Sequence, residues 1–193
     1  MLDRRSFLGL GAAATVGLGG VEVLAGRGEA GGEAPGIRSY VTLGRTGLTI
    51  SDISFGSSHS ADPALVRHAL TRGITYFDTA ESYRFGTAEE AIGEALQGKR
   101  DRVVLSSKTK ADTGDRRTDM MRALEGSLER LGTDHVDIYF NHAVNDVDRM
   151  QNQEWWEFTE LAKRQGKIRF RGMSGHGSRL PECLDYAIDH DLV

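Results

Sequence analysis

Four side chains that can carry a charge or transfer a proton each lie at, or shortly after, the end of a short apolar segment. They are Asp78, Tyr83, Lys108 and His142. Carboxyl, phenol, ammonium and imidazole groups are the side chains that general acid–base sites use to hold and move a proton. The spacing therefore predicts a site of proton transfer, provided that the fold brings the four groups together.

The segments that must position these residues alternate between short strands and amphipathic helices, which is typical of parallel strands joined by helical crossovers. The predicted strands are residues 53–56, 74–78, 102–108, 136–142 and 167–174. A hairpin of residues 40–43 and 48–50 is predicted before them, and Leu192 with Val193 is predicted to begin a sixth strand. Parallel strands place their carboxyl ends at one edge, so the four groups should converge within roughly 10 Å.

Boundary residues indicate where several of the intervening helices begin and end. Asp62 and Pro63 predict the start of the first helix, and Thr87 with Glu90 predicts a capping box at the second. Apolar residues at helical spacing predict a third helix that ends at Gly132. Pro181 is expected to open the last helix.

Strand periodicity predicts which side chains lie beneath the polar groups, because residues two apart share one face. The residues expected to point into the interior are Ile74, Tyr76, Val136, Ile138 and Phe140. Lys110 has the same parity as Lys108, so periodicity leaves both lysines as candidates.

The fold class that these elements predict is α/β, as a partial (β/α)8 barrel with an N-terminal β-hairpin. A closed barrel has eight strand–helix units and needs about 250 residues, whereas this chain of 193 residues offers five after its leader. An open doubly wound sheet would show the same alternation, but no Gly-x-Gly-x-x-Gly turn follows an early strand. We therefore favour an incomplete barrel, lacking its last strands.

The first residues differ in composition from the rest of the chain. Arg4 and Arg5, followed by Phe7 and Leu8, resemble a twin-arginine export motif. The expected organisation is a signal peptide at 1–25, a flexible linker at 26–38 and the barrel domain at 39–193, with a periplasmic or extracellular destination. A membrane anchor is the alternative, although the apolar run is shorter than the roughly 18 to 20 residues that span a bilayer.

Composition limits the partners and cofactors. The formal net charge is -4 and the chain has no Lys/Arg run, which argues against a nucleic-acid surface. A single cysteine, Cys183, cannot form an intrachain disulfide or a multi-cysteine metal site, and no metal is predicted.

Several motifs, in order along the chain, resemble those of the aldo-keto reductases between about residues 43 and 174. They are Gly44-Arg45-Thr46-Gly47-Leu48, Phe77-Asp78-Thr79-Ala80 with Tyr83 and Gly86, Ser107-Lys108, Ser127-Leu128-Glu129-Arg130-Leu131-Gly132-Thr133, Asp137-Ile138-Tyr139 with His142, and Gly166-Lys167-Ile168-Arg169. The resemblance implies a catalytic tetrad of Asp78, Tyr83, Lys108 and His142, and it selects Lys108 over Lys110.

The resemblance also implies a nicotinamide cofactor, NADP(H) with NAD(H) not excluded, and a small carbonyl compound as substrate. Gly56, Ser57, Ser58, Asp78 and Ser174 are implied as cofactor-binding positions. In such a reaction the cofactor supplies hydride, and a tyrosine hydroxyl supplies the proton. An ammonium group beside the phenol stabilises its ionised form, a carboxylate holds the ammonium, and an imidazole orients the carbonyl.

The sequence departs from the family pattern at its fifth strand. Many members have Ser-Asn there, and the Asn contacts the nicotinamide carboxamide; here Ser174 is followed by Gly175-His176-Gly177. Some related reductases with a Gly-x-Ser-x-His-Gly ending carry iron–sulfur cysteines in a C-terminal extension; the resemblance suggests that branch, but the single Cys183 gives it no support. The alternatives to an active reductase are a non-catalytic binding or assembly module and an inactive truncated fragment. Open sheet edges would favour self-association.

Overall fold

The structure, a computed structural model, describes residues 36–193. The predicted signal peptide and most of the predicted linker lie outside the described residues. The first strands of the described part form an antiparallel hairpin of β1 (Tyr40–Thr42) and β2 (Thr49–Ser51), as the sequence predicts. No helix among the described residues is long and apolar enough to cross a membrane.

A five-stranded parallel sheet forms the centre of the structure, and its strands are ordered as they occur along the chain. They are β3 (Phe55–Gly56), β4 (Tyr76–Asp78), β5 (Val104–Thr109), β6 (Val136–Asn141) and β7 (Ile168–Met173). Within residues 36–193 the sheet is not closed, because β3 and β7 are its two edges. This arrangement confirms the predicted partial (β/α)8 barrel.

Helices connect the strands. They are α1 (Pro63–Thr71), α2 (Thr87–Leu96), α3 (Arg117–Leu131), the short α4 (Val147–Met150), α5 (Gln153–Arg164) and α6 (Leu180–Asp189). The Asp62 carboxylate accepts the Ala64 amide at the start of α1, and Gly132 ends α3 with a φ of 62°. Both boundaries confirm the sequence-based predictions.

Apolar side chains cover both faces of the sheet. The outer face packs against the helices around Phe77, Leu105 and Tyr139, whereas the inner face packs against the hairpin through Ile138 and neighbouring aromatic rings. Three of the predicted interior residues, Tyr76, Ile138 and Phe140, lie on that inner face.

The other two predicted interior residues, Ile74 and Val136, pack in the helix-side core instead. Ile74 precedes β4 and Val136 is the first residue of β6. Ile74 lies before the extended strand, where the two-residue alternation does not yet apply. Val136 pairs with Ile168 at the end of the sheet opposite the polar groups, and both side chains pack in the helix-side core.

Two other local predictions are wrong. Residue Gly86, with a φ of 89°, precedes α2 without a side-chain cap, and the Thr87 hydroxyl donates to the carbonyl of Arg84. Thr87 already lies in the first helical turn, so it cannot form the predicted capping box. Leu192 and Val193 form no strand, because Leu192 is held by a hydrogen bond to the carbonyl of Ala187 after the turn that ends α6.

Candidate active site

A buried ammonium group joins the carboxyl ends of β4 and β5. The Lys108 Nζ lies 2.6 Å from an Asp78 carboxylate oxygen, 2.7 Å from the Thr79 carbonyl and 3.3 Å from the Tyr83 hydroxyl. Lys108 is only 5% exposed. The strand register explains the contact, because Asp78 pairs with Ser106 and Lys108 lies on the same face two residues further along β5.

The two lysines that periodicity left open are clearly separated by the structure. Lys110 lies beyond the end of β5, is exposed and faces Asp112 at 3.4 Å. Lys108 points into the site, where its three oxygen neighbours match the three donors of an ammonium group. Of the two, Lys108 is the one that contacts Tyr83.

Tyr83 lies in a tight turn between β4 and α2. The next two residues, Arg84 and Phe85, have φ values of 52° and 57°, a left-handed conformation that residues with a Cβ rarely adopt. The turn closes on Gly86, where a Cβ atom would lie 2.8 Å from the Arg130 side chain. This geometry holds the Tyr83 ring over Lys108, with the Nζ 4.6 Å from the ring centroid.

His142 follows β6 and faces the same point. Its ring meets the Tyr83 ring edge-on at a centroid distance of 5.5 Å, and its Nδ1 lies 3.5 Å from the Ser82 hydroxyl. Burial lowers the pKa of His142, and the positive charges of Lys108 and Arg149 lower it further, outweighing Asp78. The imidazole is therefore neutral at neutral pH and can act as a hydrogen-bonding group.

The predicted cofactor-binding residues lie at the same end of the sheet: Asp78 ends β4, and the others end or follow the edge strands β3 and β7. Gly56 pairs with Asp78 across the ladder, and the Ser57 hydroxyl donates to the Asp78 carbonyl. Ser58 is exposed beyond β3, and the Ser174 hydroxyl accepts the Ala143 amide beyond β7. The buried Ser57 hydroxyl is thus already used in a hydrogen bond within the protein, whereas Ser58 and Ser174 lie where hydroxyl groups could contact a ligand.

The sequence-based reasoning missed Ser106. Its hydroxyl donates to the Asp78 carboxylate at 2.7 Å, on the oxygen that Lys108 does not bind. The signal was present, because Ser106 lies two residues before Lys108 and therefore shares its face. Among the described residues, no three His, Cys, Asp or Glu side chains are grouped so that they could hold a metal ion.

Known proteins resemble this chain over most of the described residues. A family model described as Aldo/keto reductase family matches residues 42–186. The aldo-keto reductase YhdN of Bacillus subtilis is 32% identical over 155 residues, covering 70% of this chain and 46% of that protein. The methylglyoxal reductase YeaE of Escherichia coli is 36% identical over 137 residues, covering 70% of this chain and 44% of that protein.

Solved structures agree with the sequence matches. The holo form of an aldo-keto reductase from Bacillus halodurans superposes with a TM-score of 0.67 at 29% identity, covering 78% of this chain and 53% of that one. An aldo/keto reductase from Klebsiella pneumoniae, in complex with NADP and acetate, gives a TM-score of 0.60 at 36% identity, covering 72% and 50%. The chain spans about half the length of these relatives. By its family match, its sheet and its ordered motifs, the chain belongs to the aldo-keto reductase family of oxidoreductases.

Proposed function

We propose that this protein reduces aldehydes or ketones to alcohols with hydride from NADPH, and that Tyr83 donates the proton. The observation that carries the proposal is the position of the Lys108 ammonium, which contacts the Asp78 carboxylate and the Tyr83 hydroxyl together. A positive charge at this point stabilises the phenolate that remains after the proton has left. Asp78 keeps the ammonium charged and fixed.

The protein residues handle the proton and orient the carbonyl group. When bound, the cofactor supplies the hydride that forms the new C–H bond. The Tyr83 hydroxyl gives its proton to the carbonyl oxygen, whose developing negative charge is also within reach of the neutral His142 imidazole. Solvent then returns a proton to Tyr83, so the site is restored.

The residues present fit the nicotinamide end of such a cofactor. Gly56 has open space on the side where a Cβ atom would lie, so a flat ring can approach the end of β3 beside Asp78. Ser58 and Ser174 could supply hydroxyl groups to the carboxamide from either side. The complexes of the Klebsiella pneumoniae relatives with NADP and NADPH support a phosphorylated nicotinamide cofactor.

The experiment is to compare the purified protein with its Tyr83→Phe variant on a panel of aldehydes, following oxidation of NADPH. Loss of the proton donor should lower kcat/KM by about 10²- to 10⁴-fold. Tyr186→Phe is the matched control, because Tyr186 stacks on His190 away from the site. Wild-type rates in the Tyr83→Phe variant, or no NADPH oxidation with any aldehyde by the wild type, would contradict the proposal.

A second candidate function is a binding or assembly module that associates through its open sheet. The inner face borders a cavity of about 740 Å³ lined by apolar side chains such as Ile138, Phe140 and Phe170. Over the described residues β3 and β7 are edge strands, and exposed edges template pairing with another chain. Sedimentation velocity with and without NADPH measures both self-association and cofactor binding. A module without catalysis would self-associate and bind no cofactor, whereas a reductase would bind NADPH.

We further propose export by the twin-arginine route, supported by Arg4, Arg5, Phe7 and Leu8. This route carries folded proteins, which suits a protein that acquires a bulky cofactor before transport. Replacing both arginines with lysine should retain the protein in the cytoplasm, as measured by cell fractionation. Unchanged export of that variant would reject the route.

A further inference from the structure

Arg149 makes an unusually dense set of contacts for a residue outside the proposed tetrad. It lies on α4 and is only 9% exposed. Its guanidinium reaches oxygens in the loops that follow β5 and β6: the carbonyls of Ala111 (2.9 Å), His142 (3.0 Å) and Ala143 (2.6 Å), the Asn141 side chain (2.9 Å) and the Asp112 carboxylate (2.8 Å).

Three of these contacts fall on residues 141–143, the segment that carries His142. Ala143 has a φ of 54°, so the segment adopts a conformation that surrounding contacts must maintain. On its other side this segment is held by Ser174, whose hydroxyl accepts the Ala143 amide. Arg149 supplies the opposing contact, since its Nη1 donates to the Ala143 carbonyl.

The geometry requires a guanidinium group. Five donors in a rigid plane can bind several carbonyl oxygens that point in different directions, whereas an ammonium cannot span them. The Nε donates to the Ala111 carbonyl and lies beside the Asp112 carboxylate, which offsets the charge, whereas Nη1 and Nη2 donate to oxygens of residues 141–143. No contact of Arg149 reaches the Tyr83 hydroxyl. Its charge lowers the pKa of His142, and its hydrogen bonds act on the site through the loop.

We infer that Arg149 is a positioning residue for His142. It holds the main chain of residues 141–143 in the conformation that has Ala143 left-handed. This conformation keeps the imidazole of His142 edge-on to the Tyr83 ring. The inference deepens the proposed function, because it assigns the orientation of the substrate-facing imidazole to a residue that does not touch the substrate.

The test compares Arg149→Met and Arg149→Lys with Asp112→Asn in the otherwise intact protein. The main readout is the nuclear Overhauser effect between the Tyr83 and His142 ring protons, together with the pH titration of His142. Arg149→Met should abolish the effect, and Arg149→Lys should weaken it. The titration is compared with that of Arg149→Lys, which keeps the positive charge, because the charge of Arg149 itself lowers the pKa of His142. Asp112→Asn removes only the ion pair, so the ring contact should remain.

Kinetics provide the second readout. In Arg149→Met we expect kcat for aldehyde reduction to fall at least about tenfold while KM for NADPH changes less, because the proposed cofactor contacts at the end of β3 do not involve residues 141–143. An unaltered ring contact in Arg149→Met would overturn the inference, whatever the titration does, because the loss of the charge alone shifts the titration. Global unfolding of both Arg149 variants would also overturn it, because Arg149 would then support the whole sheet. The ring contact is measured without turnover, so an inactive wild type would refute the proposed function alone.

Discussion

Two carboxylates lie at opposite ends of the same sheet, and their surroundings differ in one important respect. Asp137, near the start of β6, accepts the Leu105 amide (2.9 Å) and the guanidinium groups of Arg100 (2.8 Å) and Arg169 (2.9 Å). Its side chain is 3% exposed. Asp78, at the end of β4, accepts Ser106 and Lys108, and its side chain is 27% exposed.

The difference shows how one type of ion pair can serve either stability or chemistry. Around Asp137 every donor is anchored to the ends of β5, β6 and β7, so the cluster ties the strands together. Around Asp78 the cation still faces a second group, the Tyr83 hydroxyl, and water can reach the carboxylate. We expect the first cluster to govern unfolding and the second to govern reaction.

The strongest test of this division is Lys108→Met. Removing the ammonium leaves Tyr83 without its stabilising charge, so kcat/KM for aldehydes should fall by about 10²- to 10⁴-fold. The unfolding midpoint should move less than in an Asp137 variant, because the partly exposed Asp78 can be hydrated. Lys110→Met is the control and should keep wild-type activity. Unfolding of Lys108→Met at the temperature of the assay would contradict this division, because the Asp78 ion pair would then govern stability as well.

The complementary change is Asp137→Asn. It places an amide where Arg100, Arg169 and the buried Leu105 amide all need an acceptor, so the free energy of unfolding should fall by about 3 kcal/mol. Urea denaturation measures the loss, and kcat of the folded fraction should remain unchanged. Asp134→Asn, on the exposed turn before β6, is the control and should leave the urea midpoint unchanged. A larger effect on kcat than on stability would assign Asp137 to the reaction.

Local sequence patterns predict the order of strands and helices and the convergence of Asp78, Lys108 and His142, because both follow from strand periodicity and parallel topology. They do not predict the Asp137 cluster, whose arginines lie 37 and 32 positions away along the chain. The sequence does not predict the contacts of Arg149 either, since its acceptors are mostly main-chain carbonyls in other loops. Such contacts depend on how loops meet in three dimensions, which no spacing of residue types reveals.

The dependence of stability on acid pH gives another test of the Asp137 cluster. Burial favours the neutral form of Asp137, but the Leu105 amide and the guanidinium groups outweigh it, so the pKa of Asp137 lies below its usual value of 3.8. The unfolded chain then binds the proton more readily. The stabilisation is complete above the ordinary carboxyl pKa and is lost as pH falls through the lowered native pKa, at about 1.4 kcal/mol per unit of difference.

The measurement is urea denaturation at a series of pH values below 5. The wild type should lose stability more steeply than Asp137→Asn, whose amide does not titrate. Parallel curves for the two proteins would show that the acid sensitivity arises elsewhere in the molecule.

The smallest expected effect distinguishes two adjacent serines on opposite faces of β5. Ser106 donates to Asp78 on the inner face, whereas Ser107 donates to the fully buried Glu89 on the helix side, where Arg130 completes the ion pair. Ser106→Ala should lower kcat about tenfold, because a hydrogen bond to a charged group is worth roughly 1.5 kcal/mol or more. Ser107→Ala should leave kcat unchanged and reduce the free energy of unfolding by a similar amount, as measured by urea denaturation. Since the two variants differ only in the face of one strand, reversed outcomes would place the reacting groups on the helix side of the sheet.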